Sequence, residues 1–363
     1  MTLLKLLAAI AAIATISITS ANTREVVGSA AVTGAGSTFA YPIIARWSRG
    51  YQHWVAGGGE YRVAGSGLDD PPAGPILDYE PIGSLAGMMR IKDGRVDFAA
   101  SDMPLPSSEL DKLGLVQFPL VIGGAVVVVN IDNVRPGQIR LTGPLLADIY
   151  LGKIRRWSDP AIAAINPDLK LPEADIVLVH RSDGSGTTYN FANYLSKVSP
   201  EWREKVGFDL LVPWPGGLGA KGNSGVAETV ARTKHSIGYV EFAQALQSRL
   251  SYATLKNQTG RFVEPSASSF QEAAQGADWS GSSDFNLLLT NSARPLAWPI
   301  AATVFCLMKR DPPHNRNQSV LNLLRWSLER GSDQARGLGY VPLPPILVAQ
   351  VKSYWARALN PGT

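Results

Sequence analysis

Residues 180–188 read His-Arg-Ser-Asp-Gly-Ser-Gly-Thr-Thr, and this run decides how the chain folds around it. An apolar run at 175–180 predicts a strand that leads into it. Residues 187–197 carry apolar side chains at three- and four-residue spacing, which predicts a helix that follows it. The first backbone N–H groups of a helix have no acceptor within the helix and lie at the positive end of its dipole. The run is therefore a candidate anion seat, to which Arg181 adds a positive charge.

Two further clusters have the same strand–turn–helix arrangement. Residues 34–39 read Gly-Ala-Gly-Ser-Thr-Phe, and residues 82–86 read Ile-Gly-Ser-Leu-Ala. Because Ser and Thr cap ordinary helices, one such cluster would indicate no more than a cap. Three clusters in one chain leave capping and a shared anion site as comparable interpretations.

A fourth segment places a carboxylate at the end of a strand. Residues 98–104 read Phe-Ala-Ala-Ser-Asp-Met-Pro, so Asp102 is predicted at the carboxyl edge of a sheet, where ligand clefts of α/β proteins lie. The alternative is that Asp102 caps the next helix. Arg181 and Asp183, two residues apart in a glycine-rich turn, are predicted to pair and so to orient the guanidinium.

The rest of the chain alternates short apolar runs with helical patterns, which predicts an α/β fold. The predicted strands are 30–33, 96–99, 115–120, 124–130, 175–180, 237–240 and 303–308, and the predicted helices are 43–54, 85–93, 145–151, 187–197, 226–233 and 319–329. The runs 125–129 and 301–308 are apolar on both faces of the predicted strand, as expected of strands that are covered on both sides. They are the candidates for strands that pass between two lobes.

Composition excludes several classes of protein. The chain has 363 residues, of which 45% are hydrophobic, enough for two cores and too many for a disordered chain. The net charge is +4 and the basic residues are scattered, so no nucleic-acid-binding stripe is indicated. Cys306 is the single cysteine, which excludes a disulfide framework and a cysteine-based metal cluster.

The first 21 residues have the pattern of a secretory signal peptide. Lys5 is followed by an uncharged apolar run at 6–18 and by small residues around Ala21. No cysteine lies near the expected cleavage region, so no lipid anchor is expected there. We therefore expect segment 1–21 to be removed and the mature protein to be exported.

Other motifs with a chemical meaning are weak. Residues 217–222, Gly-Leu-Gly-Ala-Lys-Gly, satisfy the dinucleotide pattern but follow Pro-Trp-Pro rather than a predicted strand. The four histidines show no zinc-ligand spacing, and no cofactor is expected. A nucleophile pair of Ser185 with His180 stays open, although nothing in the sequence fixes its geometry.

Taken in order, these segments resemble the periplasmic phosphate-binding protein of bacterial phosphate ABC transporters. The run Asp183-Gly-Ser-Gly-Thr187 with the preceding Arg181 is specific to this family and its close relatives. The segments that carry the resemblance are 34–39, 100–102, 118–124, 148–154, 181–187, 217–223, 237–241 and 297–300.

The resemblance implies an α/β fold of two lobes, the type II periplasmic-binding-protein fold. Each lobe is a mixed sheet flanked by helices, and two crossing strands form the hinge. Lobe I would hold residues 30–127 and 300–363, and lobe II residues 128–299. The implied function is capture of inorganic phosphate in the periplasm, without catalysis, and its delivery to the permease and ATPase subunits of the transporter.

The resemblance also implies which residues contact phosphate. Asp183 would hold Arg181, and the carboxylate of Asp102 would accept a proton from the phosphate. The implied phosphate contacts are Thr38, Phe39, Ser84, Asp102, Arg181, Ser185, Gly186 and Thr187.

One part of the chain departs from the family pattern. At the second seat Leu85 stands where the family usually has a hydroxyl residue, and segment 60–74 has the character of an insertion. The insertion contains Ser66, a rival to Ser84, but the eighteen-residue step from Ser84 to Asp102 fits the family and favours Ser84.

Two alternatives differ in function. A secreted phosphoesterase would use Ser185 or Thr187 as its nucleophile, but no metal ligands or adjacent base are evident. A receptor for another tetrahedral oxyanion, such as sulfate or molybdate, would keep the fold, but Asp102 argues against an anion that carries no proton.

Overall fold

The structure is a computed structural model that describes residues 32–59, 77–279, 284–311 and 316–359. The predicted signal peptide at 1–21 and the whole of the predicted insertion at 60–74, with its Ser66, lie outside these residues. Within them, no helix is long and apolar enough to cross a membrane.

Strands and helices alternate along the described chain. The strands are β1 Val32–Gly36, β2 Leu77–Glu80, β3 Phe98–Ser101, β4 Leu115–Asn130, β5 Arg140–Thr142, β6 Val177–Arg181, β7 Leu218–Ala220, β8 Ser236–Glu241, β9 Ser251–Tyr252, β10 Thr254–Lys256, β11 Phe262–Val263, β12 Ala301–Lys309 and β13 Val341–Pro342. The helices are α1 Tyr41–Ala56, α2 Ser84–Lys92, α3 Ser107–Leu113, α4 Gly143–Tyr150, α5 Pro160–Ala163, α6 Gly186–Val198, α7 Pro200–Lys205, α8 Gly222–Arg232, α9 Phe242–Gln247, α10 Ala267–Gln275, α11 Arg316–Arg330, α12 Ser332–Gly337 and α13 Pro345–Ala358.

The main sheet has the order β2-β1-β3-β12-β4-β8-β6-β7. Strands β1, β2 and β3 are mutually parallel, as are β6, β7 and β8, whereas β4 is antiparallel to both β12 and β8. β4 pairs with β12 as far as Gly124 and with β8 from Ala125 onward. We call β2, β1, β3, β12 and β4 up to Gly124 the first sheet half, and the remainder the second sheet half.

The sequence predicts two strands, at 115–120 and 124–130, where the structure has the single strand β4. Pro119, Gly123 and Gly124 lie inside this continuous strand. The proline lies where the register against β12 shifts, a position that tolerates a missing N–H donor. A Cβ at Gly123 would lie 2.8 Å from the Phe39 ring, and one at Gly124 would lie 2.2 Å from the Phe270 ring. The glycines therefore make room for aromatic side chains and do not end the strand.

β4 and β12 form the covered centre of the sheet that their apolar sequences predict. Every residue of β4 except Asn130 is buried, and so is every residue of β12 except Lys309. In the second sheet half, the Phe191 ring of α6 stacks on Tyr239 of β8 with ring centroids 4.2 Å apart. The hydrophobic effect thus fixes helices on both faces, as in other layered α/β folds.

The other predicted elements are present with shifted ends. The unpredicted elements are mostly short, although the 14-residue helix α13 is also among them. Helices α1, α2, α4, α6, α8 and α11 correspond to the six predicted helices, each within a few residues of the predicted bounds. The run 217–222, in which no strand was predicted, contains β7 and leads directly into α8. Short elements such as β7 have too few residues for a periodic pattern to reveal them.

Candidate functional site

The loops that follow parallel strands of the two sheet halves meet at one place. Thr38 follows β1, Ser84 begins the helix after β2, and Asp102 follows β3. From the other side, Gly186 follows β6 and Asn223 follows β7. Hydrogen bonds join the two sides, among them those of Asn223 with Thr38, Gly186 with Ser84, and Thr187 with Asp102. The carboxyl edges of the strands therefore enclose a site, as α/β topology predicts.

Asp102 lies at the centre of this site and is 1% exposed. It accepts hydrogen bonds from the Ser37 hydroxyl and, at 3.4 Å, from the Thr187 hydroxyl. Burial raises the pKa of Asp102 to about 6, although the Ser37 hydrogen bond, the charge of Arg181 and the Thr187 hydroxyl all oppose the shift. Asp102 is thus a buried acid with no salt-bridge partner among the described residues. It neither begins nor caps a helix, since the next helix, α3, has Pro106 at its N-cap.

Arg181 provides the positive charge of the site and is 2% exposed. Its Nε donates to Asp183 Oδ1 at 2.7 Å and its Nη2 donates to Asp183 Oδ2 at 2.5 Å, so the predicted pair forms a two-pronged clamp. Burial alone would raise the pKa of Asp183, but the guanidinium and the Gly222 N–H, 3.0 Å away, outweigh it and lower that pKa. The remaining guanidinium nitrogen, Nη1, is buried and has no hydrogen-bond partner among the described residues.

Four helices begin at the site: α1, α2, α6 and α8. Two glycines permit the close approach of their first turns. Gly83, at φ +93°, would place a Cβ 2.7 Å from Asp183 Oδ2, and a Cβ at Gly186 would lie 2.6 Å from Ser84 Oγ. The dipoles of these helices, whose first-turn N–H groups have no acceptor within the helix, favour a negative charge between them.

Ser84 is held so that its hydroxyl must donate. Its Oγ accepts the Gly186 N–H at 3.2 Å and the Asp102 N–H at 3.4 Å. With both lone pairs of the oxygen engaged, the O–H is left as a donor. Ser84, the preferred residue at this seat, thus contacts both sides of the site.

Two of the predicted contacts, Phe39 and Ser185, have side chains engaged elsewhere. The Phe39 ring is fully buried edge-on to Tyr340 at 6.2 Å. The Ser185 hydroxyl accepts the Thr188 N–H at 3.1 Å and caps α6, which is the ordinary role that its sequence position allowed. His180 stacks on Trp214 with centroids 4.9 Å apart and makes no hydrogen bond to Ser185 in the part of the chain that the structure describes.

The described residues contain no group of three or more His, Cys, Asp or Glu side chains placed to hold a metal ion.

Comparison with known proteins identifies the family. A model of the PBP superfamily domain matches residues 20–330. The phosphate-binding protein PstS of Xylella fastidiosa (strain 9a5c) is 52% identical over 326 residues, covering 90% of this chain and 85% of that protein. The chain belongs to the PstS family of phosphate-binding proteins.

Two further relatives agree with this placement. The phosphate-binding protein PstS of Haemophilus influenzae (strain Rd) is 44% identical over 331 residues, covering 91% of this chain and 93% of that protein. The crystal structure of a phosphate-binding protein from Stenotrophomonas maltophilia matches with a TM-score of 0.63 at 18% identity, covering 89% of this chain and 93% of that one. The predicted periplasmic-binding-protein fold is thereby confirmed.

Three polar residues of this PstS-family site were not predicted: Ser37, Asn190 and Asn223. Ser37 lies inside the run 34–39, and Asn223 ends the run 217–223, but no function was predicted for either residue. Asn190 donates to the Asp102 carbonyl oxygen at 2.7 Å from the second turn of α6. An asparagine within a helical pattern carries no signal of such a contact, because only the packing of the two sheet halves brings its partner close.

Proposed function

We propose that this member of the PstS family captures inorganic phosphate between the two sheet halves. The observation that carries the proposal is that one site contains both a buried carboxyl, Asp102, and the buried guanidinium of Arg181. The Nη1 of that guanidinium has no hydrogen-bond partner among the described residues. A phosphate that is still protonated suits both, since its oxygens accept from Arg181 and its O–H donates to Asp102.

The other proposed contacts supply donors. Ser84 and Thr187 bring hydroxyls, and the starts of α1 and α6 bring backbone N–H groups. Removing a dianion from water is prohibitively costly unless fixed donors replace its hydration. The proposed set is Thr38, Phe39, Ser84, Asp102, Arg181, Ser185, Gly186 and Thr187, with Phe39 and Gly186 acting through their backbone N–H groups and Asp183 holding Arg181.

Asp102 would set the selectivity. Sulfate carries no proton at neutral pH, so in its complex the carboxylate would face a second anion with nothing to accept. A site built around a hydrogen bond rejects the analogue that lacks it by about 10⁴-fold. This argument favours phosphate over the runner-up, a receptor for another tetrahedral oxyanion.

Closure of two lobes would bury the ligand. The proposed lobes are residues 30–127 with 300–363, and residues 128–299. Support comes from β4, which changes its partner from β12 to β8 at Gly124 and Ala125, close to the proposed boundary. β12 begins at Ala301, which pairs with Gly124. We propose that the chain crosses between the lobes at these two neighbouring points, which would act as the hinge.

The proposed setting is the periplasm, reached through the signal peptide predicted at 1–21 and without a lipid anchor. The closed, loaded form would be recognised by the permease and the ATPase subunits of a phosphate ABC transporter. No catalysis is proposed. The alternative, a phosphoesterase, needs a hydroxyl nucleophile and a base beside it. The Ser185 hydroxyl caps α6, and His180 is occupied by Trp214 and the Arg181 carbonyl oxygen. The Asp102 carboxyl, which the Thr187 hydroxyl reaches at 3.4 Å, is proposed instead to accept the proton of the phosphate.

Calorimetric titration of the purified protein with phosphate, sulfate and arsenate tests the proposal. We expect tight binding of phosphate and no measurable heat from sulfate. Incubation with a chromogenic phosphate ester in the same preparation distinguishes a receptor from a catalyst. Heat from sulfate equal to that from phosphate, or steady ester hydrolysis, would contradict the proposal.

A further inference from the structure

Asn223 is not one of the proposed ligand contacts, yet it makes hydrogen bonds to residues on both sides of the site. It is the second residue of α8, is 1% exposed, and lies on the side of the second sheet half. Its side-chain Nδ2 donates to Thr38 Oγ1 at 3.0 Å and to Thr187 Oγ1 at 3.3 Å. Its backbone N–H also donates to Thr38 Oγ1, at 3.3 Å. One residue thus contacts two hydroxyls that belong to opposite sides of the site.

The orientation of the Asn223 amide is fixed by its neighbour in β8. The Glu241 backbone N–H donates to Asn223 Oδ1 at 3.1 Å. A backbone N–H can only donate, so the oxygen of the amide must face Glu241 and the NH₂ group must face the threonines. The donor role of Asn223 toward Thr38 and Thr187 is therefore dictated by the backbone and does not depend on an arbitrary assignment of its atoms.

This orientation determines what the threonine hydroxyls do. A hydroxyl has one hydrogen to donate and two lone pairs that accept. Thr38 Oγ1 receives two N–H groups from Asn223, so both lone pairs are engaged and its O–H is left to donate. Thr187 Oγ1 receives one N–H from Asn223 and donates toward Asp102 Oδ2 at 3.4 Å. An anion requires donors. Asn223 leaves the O–H of Thr38 available to an anion, and it keeps Thr187 a donor whose O–H faces Asp102 and would turn to the anion on binding.

We infer that Asn223 is a positioning residue that holds the hydroxyls of Thr38 and Thr187 as donors to the bound anion and ties the two sheet halves together around it. The inference rests on the proposed phosphate site and adds a residue that acts through the ligand contacts without being one. Ser84 does not depend on a positioning side chain of this kind, because the backbone N–H groups of Asp102 and Gly186 donate to its oxygen.

Two substitutions separate this role from simple packing. Asn223→Ala removes the donors, so phosphate affinity should fall tenfold or more, mainly through faster dissociation. Asn223→Asp keeps the shape but accepts from the threonines, which turns their O–H groups away from the anion and adds a negative charge. It should bind phosphate at least tenfold more weakly than Asn223→Ala. Asn193→Asp is the matched control, because Asn193 is also buried in the second sheet half but accepts from Thr290 at 2.6 Å. It should stay within twofold of the wild type.

A double-mutant cycle shows whether Asn223 acts through Thr38. The fold loss caused by Asn223→Ala should drop from tenfold or more in the wild type to less than threefold in Thr38→Ala. Phosphate dissociation constants come from calorimetry, dissociation rates from stopped-flow tryptophan fluorescence, and folding of each variant from thermal unfolding without phosphate.

An equal fold loss in both backgrounds, or Asn223→Asp binding as well as Asn223→Ala, would overturn the inference. If Asn223→Asp does not fold, the cycle with Asn223→Ala decides alone. The proposed function fails separately, if the wild type shows no phosphate binding or if Arg181→Ala binds phosphate as the wild type does.

Discussion

The two aspartates of the site, Asp102 and Asp183, lie in opposite environments. Asp183 is clamped by the Arg181 guanidinium and also accepts the Gly222 N–H, and its pKa is lowered. Asp102 receives only hydroxyl hydrogens at its carboxyl oxygens, and burial raises its pKa to about 6. One carboxylate neutralises a cation within the second sheet half, and the other, in the first, keeps its capacity to accept a proton.

The difference shows how one site holds both signs of charge. If Asp102 were paired with Arg181, its carboxylate oxygens would be occupied by the guanidinium and could not accept a proton from the anion. Because Asp183 takes that partner instead, Arg181 is oriented and Asp102 is left unpaired. The substitutions that follow test whether the two aspartates have these separate roles.

The largest effect is expected from Arg181→Ala. It removes the buried cation and leaves a bound anion with the repulsion of Asp102 and Asp183, so phosphate affinity should fall by about 100-fold or more, or roughly 2.7 kcal/mol. Calorimetry measures the change. Arg156→Ala, at an exposed position with a loose ion pair to Asp175, is the control and should leave affinity unchanged. A loss of less than threefold in Arg181→Ala would place the anion elsewhere.

Asp183→Asn should weaken phosphate binding and leave the rejection of sulfate unchanged. The amide can accept only one of the two guanidinium bonds, so Arg181 loses its fixed orientation, and affinity should fall by about tenfold. Sulfate should still fail to displace phosphate, because Asp102 is untouched. Competition titration checks this, and displacement by sulfate would mean that the two aspartates do not have separate roles.

A smaller loss, about three- to tenfold, is expected from Ser84→Ala, which removes one donor to the anion. The backbone N–H groups of Asp102 and Gly186 also lose their acceptor. Ser66→Ala, in the segment outside the described residues, should bind phosphate as the wild type does. A larger effect at Ser66 would mean that the insertion supplies the second seat.

The elements and residues with a strong local signal could be predicted from sequence. The glycine-rich runs after β1 and β6, the Arg181–Asp183 pair and the position of Asp102 after β3 all follow from residue type and spacing. The continuity of β4 could not be predicted, because the glycines that resemble a break are there to admit the rings of Phe39 and Phe270. Asn190 and Asn223 gained a role only when packing brought their partners close.

A separate effect, on stability and not on affinity, is expected in the absence of phosphate. An acid whose folded pKa is raised costs nothing below its unfolded pKa, and stability is lost as pH rises through the folded value. For Asp102 that window runs from about pH 4 to pH 6. Relative to Asp102→Asn, the wild type should therefore lose roughly 2–3 kcal/mol between pH 4 and pH 7.

Urea unfolding in phosphate-free buffer at pH 4, 5, 6 and 7 checks this loss. Glu241, whose pKa is raised to about 8 mainly by burial and in part by the charge of Asp102, is present in both proteins, so only its interaction with Asp102 remains in the comparison. Unfolding free energies that run parallel with pH in the two proteins would show that Asp102 is not a strained acid.

The most direct test of the account is a competition titration of phosphate against sulfate in the wild type and in Asp102→Asn. We predict that sulfate does not displace phosphate from the wild type, while in Asp102→Asn it begins to compete and phosphate affinity falls only modestly. The amide neither repels a fully ionised anion nor depends on its proton, and losing a negative charge offsets the lost hydrogen bond. Wild-type protein that binds sulfate as well as phosphate, or a ratio left unchanged by Asp102→Asn, would contradict the role given to Asp102.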